Sequence, residues 1–237
     1  MDTDQRFPLE TLQAYQVLCE FCSRMFYASP ASEQIEQLIE RRDLFLEEPF
    51  FDIAPEESRL LHDLLENAQD ESLKTEFFTA LRQDYTYLFY MVGASHTSPY
   101  ESVYRTDDRT MFGPTTLEVR ALYRSFEMQL AQAESQPDDH IGLELAFLAH
   151  LFNLLQNQFG SQEDAEAERT LQVLKDFLSE HLLVFAPTYL ANVQTRANTG
   201  FYRAIASIAY QTLACMAKAF KIEAATTIDV GAYLLLD

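Results

Sequence analysis

The chain has 237 residues, 17 basic and 37 acidic, with a formal net charge of −20 at pH 7 and 48 % hydrophobic residues. This acidity disfavours nucleic acid and anionic membrane surfaces, which are both held by basic side chains, and makes a basic peptide or protein the natural partner. The length is enough for one large domain or two small ones, and the apolar share is enough for a core of ordinary size and argues against disorder.

The N-terminus, Met1-Asp2-Thr3-Asp4, is acidic and lacks an apolar run, so no secretion leader is expected. Pro8 suits the first turn of a helix over about residues 8–28, with Leu9, Leu12, Tyr15, Leu18, Cys22, Met25 and Phe26 as its buried stripe. Cys19 and Cys22 fall on that side and read as small buried hydrophobes, since a zinc site needs a second pair. Ser29-Pro30 breaks the helix, and a short one follows over about residues 31–41. Residues 44–53 read as irregular. Pro55 opens a helix whose first turn holds Glu56 and Glu57, with Leu60, Leu61, Leu64 and Leu65 inward.

Asp70 starts a helix to about residue 90, in which Leu81, Tyr85, Leu88 and Phe89 form one stripe. From Gly93 to Gly113 no period survives. About twenty residues of loop exceed the ~12–15 at which loops become uncommon without a functional role. Tyr100, Val103, Tyr104, Met111 and Phe112 make this loop too apolar for a linker and a candidate binding surface. Pro114 opens a helix to about residue 133, with Leu117, Leu122 (or Ala121), Phe126 and Leu130 apolar.

Gln136-Pro137 ends that segment, and Asp138 or Asp139 can cap the next helix, over about residues 139–159, with His140 in its first turn. Ile141, Leu145, Leu148 and Phe152 run down one face, and Gly160 suits the position past the end. The run from Leu143 to Phe152 is interrupted by Glu144 and His150, so stable membrane insertion is not expected and the cytoplasm is the expected location. Ser161-Gln162-Glu163-Asp164 reads as a capping sequence, Pro187 as the start of another helix, and Gly200 as the divide before a last long one. The tail, residues 226–237, could dock on the body or join a second copy in a homodimer. The whole reads as an all-α single domain of roughly nine or more helices with one long central loop.

Two blocks stand out: Tyr85/Leu88/Phe89 continuing into Ser98-Pro99-Tyr100-Glu101-Ser102-Val103-Tyr104, and Pro137/Asp139/His140/Ile141. In order and spacing they resemble the TorD/DmsD family of molybdoenzyme-maturation chaperones, also called redox-enzyme maturation proteins. That family shows an aromatic-x-x-Leu-Phe segment, a Glu-Ser-Val-Tyr loop and a Pro-x-Asp-His-Ile helix start. The chain has no Trp, and Tyr85, Gly93 and Tyr100 stand where one branch of the family carries tryptophans.

The resemblance implies an all-helical, non-catalytic cytoplasmic chaperone without metal or cofactor of its own. Its partner would be the twin-arginine signal peptide of a molybdoenzyme catalytic subunit, bound in the apo form before export. It further implies a peptide-binding site made by Tyr85, Leu88, Phe89, Tyr100, Glu101, Ser102, Tyr104, Gly113, Pro137, Asp139 and His140. These residues are expected to line one shared groove, although Tyr85, Leu88 and Phe89 read equally as a core stripe and Gly113 as backbone geometry before Pro114. The alternatives are an assembly factor that grips the mature enzyme, and a helical metal-dependent phosphohydrolase at His62/Asp63 or Asp139/His140. No phosphate-binding, zinc-protease or nucleophile-elbow motif supports an enzyme.

Overall fold

A computed structural model describes residues 7–90, 97–105, 111–128, 136–161 and 164–222. Helices α1 (Leu9–Tyr27), α2 (Ser32–Glu40), α3 (Phe50–Ile53), α4 (Pro55–Asn67) and α5 (Glu71–Phe89) form the first half. Within the central loop, expected to carry no regular element, lies the single turn α6 (Ser102–Arg105), and after the loop come α7 (Pro114–Ser125), α8 (Ile141–Ser161), α9 (Asp164–Phe177), α10 (Leu183–Arg196) and α11 (Gly200–Ala219). The chain is all-α. Among the described residues the one extended pairing is an isolated antiparallel bridge between Tyr100 and His140.

The centre of the fold is the pair α1 and α8. Residues 141–152 of α8 are buried on nearly every side, as an interior helix demands. Gly142 makes the crossing possible, because a Cβ there would meet the Tyr27 backbone at 3.0 Å. Around this pair, α11 packs on α1, α4 and α10, while α9 lies along α8. Cys19 and Cys22 are fully buried in α1, and burial pushes the Cys22 thiol up to about 12, as expected of packing residues.

Several expectations need correction. Residues 44–53 are ordered, as a 3₁₀ turn over Arg42–Leu46 followed by α3. In α4 the inward face is Ser58, Leu61 and Leu65, and Leu60 is exposed. Gly160 lies inside α8. Pro187 lies inside α10 rather than at a helix start: one wide π-helical turn, Leu178–Leu182, joins α9 to α10. That turn ends just before Leu183, whose carbonyl is the one a proline at 187 crowds.

Helix α7 is shorter than expected. It stops at Ser125 in a Schellman arrangement, with Glu127 left-handed at φ 53° and the Met128 N–H donating to the Tyr123 carbonyl at 3.0 Å. Its buried face is Thr115, Thr116, Val119 and Tyr123, while Leu117 is exposed. The expected extension over residues 129–133, part of the capping sequence at 161–164, parts of the central loop and the tail at 226–237 lie outside the described residues.

Candidate functional site

The two motif blocks meet. The Glu101 N–H donates to the Asp139 carbonyl at 2.9 Å and the Ile141 N–H to the Pro99 carbonyl at 2.8 Å, the pair of bonds that makes the Tyr100–His140 bridge. The Asp139 side chain is fully buried. Its Oδ2 accepts the Ser102 N–H at 2.9 Å and its Oδ1 the Thr116 hydroxyl at 2.9 Å. One carboxylate therefore ties the start of α6 to the first turn of α7, and the preceding backbone ties both to α8.

The helix cap is His140, not Asp138 or Asp139 as the sequence suggested. The His140 carbonyl accepts the Leu143 and Glu144 N–H groups at 2.8 and 3.0 Å, and its Nδ1 accepts the Gly142 N–H at 3.0 Å. An accepting Nδ1 leaves the ring proton on Nε2. The ring is buried edge-on between Tyr27 and Tyr100, with centroids at 5.6 and 5.4 Å. Burial pulls its pKa down to about 3, so the imidazole is neutral at physiological pH.

The remaining expected residues divide between this junction and the core. Tyr100 is half-buried, and its hydroxyl donates to Gln136 Oε1 at 2.6 Å. The Tyr104 hydroxyl donates to the Ser98 carbonyl at 2.9 Å, and its ring leans on Phe185. Pro137 gives its carbonyl to the His140 N–H at 3.2 Å. Gly113 caps α7 in an extended conformation that any residue adopts, and a Cβ there would meet Ser102 Cβ at an ordinary 3.7 Å. Glu101 is wholly buried, bonded to Arg105 and His181.

Tyr85, Leu88 and Phe89 do not open onto a groove in this structure; they lie in the core. Their exposures are 2, 0 and 7 %. Phe89 packs on Tyr189 and Tyr202, and the Tyr85 hydroxyl donates to the Phe26 carbonyl at 3.0 Å. The exposed apolar surface near the junction is elsewhere. Met111, Phe112 and Leu117 are 49, 70 and 63 % exposed, just before and at the start of α7. Phe112 is held left-handed at φ 64°, an uncommon conformation for a bulky residue.

Sequence reasoning missed Thr116, Arg105, Glu144 and His181. Thr116, Glu144 and His181 are long-range partners of motif residues and leave no periodic trace, while Arg105 pairs with Glu101 only four positions away, inside a stretch that reads as loop. It also missed Asp84 on α5, whose carboxylate takes the Asn198 and Thr199 N–H groups at 3.0 and 2.8 Å and so docks the start of α11. A polar cleft of about 360 Å³ between α1 and α8, lined by Glu20, Arg24, His150 and Asn153 among others, includes none of the expected residues.

The enzyme alternatives find no assembled geometry. Asp139 receives the Ser102 backbone rather than serving His140, whose Nδ1 is used in capping. His62 spans Asp43 at 3.3 Å and Asp63 at 3.1 Å, which ties the 3₁₀ turn to α4. Among the described residues no three metal-binding side chains gather, and no helix is long and apolar enough to cross a membrane.

Residues 52–191, more than half of the chain, match the family model described as nitrate reductase delta subunit. The chain is 32 % identical over 145 residues to the chaperone protein TorD of Vibrio cholerae serotype O1 (strain ATCC 39315 / El Tor Inaba N16961), covering 61 % of each protein. It is 24 % identical over 205 residues to the probable Tat proofreading chaperone DmsD of Haemophilus influenzae, covering 86 % of this chain and 90 % of that one. The match to TorD thus spans under two thirds of TorD's length. Both halves of the site fall within the matched region, and the chain belongs to the nitrate reductase delta subunit family, alongside the TorD and DmsD chaperones it resembles.

Proposed function

We propose that this protein is a non-catalytic cytoplasmic chaperone for a molybdoenzyme exported by the twin-arginine pathway. It binds the enzyme's N-terminal leader and delays export until cofactor insertion and folding are complete. Family membership supports this reading, as do relatives named as a chaperone and a probable Tat proofreading chaperone. The observation that carries it is the junction itself: Glu101-Ser102 and Asp139-His140, 37 residues apart for the Ser102–Asp139 bond, are locked into one unit. An exposed apolar set, Met111, Phe112 and Leu117, flanks that unit.

A twin-arginine leader carries two arginines and an apolar, helix-prone segment. We assign the apolar segment to the Met111–Phe112–Leu117 surface, in helix-in-groove fashion. Burying roughly 400 Å² of apolar area contributes on the order of 10 kcal/mol gross, much of it offset by association and ordering costs. Exposed arginine–carboxylate pairs add only about 0.2–1 kcal/mol each. The apolar contact therefore sets affinity, and the −20 charge steers encounter with a basic leader.

The test is binding of a labelled twin-arginine leader peptide by fluorescence anisotropy, beside binding of the client enzyme with its leader deleted. Saturable binding of the peptide, together with loss of client binding when the leader is deleted, supports the proposal. Undiminished binding of the leaderless client moves the function to assembly of the mature enzyme. If association proves insensitive to salt, the charge serves solubility rather than steering.

A further inference from the structure

Glu144, in the first turn of α8, is wholly enclosed, and neither of its carboxyl oxygens meets a hydrogen-bond donor among the described residues. It lies within hydrogen-bonding reach of the Glu101 side chain. The Glu101 oxygens are already engaged, Oε1 by Arg105 Nε at 2.8 Å and Oε2 by His181 Nδ1 at 3.0 Å. Asp139 places a third buried carboxylate nearby. Two adjacent buried carboxylates cannot both readily stay ionised, because burial and the like charge each disfavour the second ionisation. One proton between Glu144 and Glu101 replaces repulsion with a short O–H···O⁻ bond and satisfies Glu144. Burial first, then the charges of Glu101 and Asp139, push the Glu144 pKa well up.

The surrounding groups come from every neighbouring element. Arg105 reaches in from α6 and also bonds the Glu180 carbonyl, and His181 comes from the π-helical turn. Tyr123 of α7 donates its hydroxyl to the Asp138 carbonyl, and Arg120 pairs with Asp138. The cluster therefore clamps three things at once: the loop segment 98–105, the start of α8, and the turn between α9 and α10. π-helical turns of this sort are frequent at functional sites.

We propose that Glu144 and His181 are positioning residues of the candidate site. The proton that Glu144 shares with Glu101, and the imidazole on Glu101's other oxygen, hold segment 98–105 in its binding form, so that leader binding is coupled to that proton. This rests on the reading that the segment belongs to the leader site. Raising the pH removes the proton, restores the Glu101–Glu144 repulsion and loosens the segment.

The experiment uses the full chain, a labelled twin-arginine leader, and pH values from about 6 to about 9. Wild-type affinity should fall on the order of tenfold as the pH rises, the loss expected when a buried carboxyl loses its one partner. Glu144→Gln offers Glu101 an amide N–H that does not titrate, so it should keep the neutral-pH affinity and give a flat profile. Glu144→Leu, with no donor, should bind weakly at every pH. The protection of residues 97–105 against amide hydrogen exchange, measured without peptide and relative to the intrinsic exchange rate at each pH, should fall as pH rises in the wild type and stay constant in Glu144→Gln. An infrared band of a protonated carboxylic acid, present in the wild type and absent in Glu144→Gln, is the direct signature. Identical pH profiles for wild type and Glu144→Gln overturn the proposal, as does absence of that band. If the leader binds at no pH, the assignment of the partner fails, and the exchange and infrared results still decide the role of Glu144.

Discussion

Asp139 holds Ser102 and Thr116 together: one buried carboxylate accepts the backbone N–H of the first, and through its other oxygen the hydroxyl of the second, both at 2.9 Å. The difference from a helix cap is measurable. Losing a cap costs about 1 kcal/mol. Asp139→Ala instead strands two buried donors, at about 1–3 kcal/mol each, so a loss of about 2–6 kcal/mol is expected in urea unfolding. Thr116→Val should cost about 1 kcal/mol alone and almost nothing in the Asp139→Ala background. Fully additive losses from the two substitutions would show that the bond carries no stability.

The helices were legible because their apolar stripes repeat with a helical period, and α1, α5 and α8 appear within about two residues of their expected limits. Their ends were less so. At α7 and α11 the left-handed stop residues are Glu127 and Lys221, where glycine would have given the signal. The motif residues were legible as a constellation, but their contacts were not. Tyr85, Leu88 and Phe89 fit a groove wall and a core stripe equally, because periodicity reports one apolar face and not what covers it. Glu144 read only as an interruption of an apolar run; its meaning depends on Glu101, 43 positions away in the sequence and on another element.

His140 gives the fold an acid sensitivity whose sign is set by its burial. Its pKa drops to about 3 in the folded chain from 6.5 in the open one. Between those values the unfolded form holds the extra proton, so stability is present above pH 6.5 and is lost as pH falls towards 3. Going from pH 6.5 to pH 4.5, His140 alone should remove about 2–3 kcal/mol, at ~1.4 kcal/mol per unit. Glu144 works in the opposite sense above its unfolded value of 4.5, favouring the folded form less as pH rises. A comparison isolates His140: His140→Asn can still accept from Gly142 but does not titrate. Its unfolding free energy should fall less on acidification than that of the wild type. Parallel curves would mean that the buried imidazole does not govern the acid limb. With the ring enclosed by Tyr27 and Tyr100, His140→Ala is expected to cost about 2–4 kcal/mol.

Gly142 sets the distance between α1 and α8. Alanine is intrinsically better than glycine in a helix by about 1 kcal/mol. Here its Cβ would meet Tyr27 Cβ at 2.9 Å and the Tyr27 backbone at 3.0 Å, and a backbone cannot rotate out of the way. Overpacking of this sort costs about 1–3 kcal/mol. Gly142→Ala should therefore lower the melting temperature despite its better propensity. It should also disturb the His140 ring, which leans on Tyr27. A stabilised Gly142→Ala protein would show that the helices part freely at this point.

Phe112 separates stability from binding. Its ring is 70 % exposed and its backbone is left-handed at φ 64°. The conformation costs roughly 1 kcal/mol for a residue with a Cβ, and the exposed ring returns little burial energy to the free protein. Such strain persists most often at sites of contact. Asparagine adopts the left-handed region more readily, so Phe112→Asn should leave the melting temperature unchanged or slightly raised. If the ring anchors the apolar segment of the leader, the same substitution should cost more than about 1 kcal/mol of binding, or at least fivefold in affinity. Leu117→Asn, on the exposed face of α7, should behave in the same direction with a smaller effect on binding. A Phe112→Asn protein that melts normally and binds the leader as tightly as wild type would remove Met111–Phe112–Leu117 from the binding surface. The opposite outcome, lost binding in a protein of unchanged stability, ties this strained and exposed turn to the client.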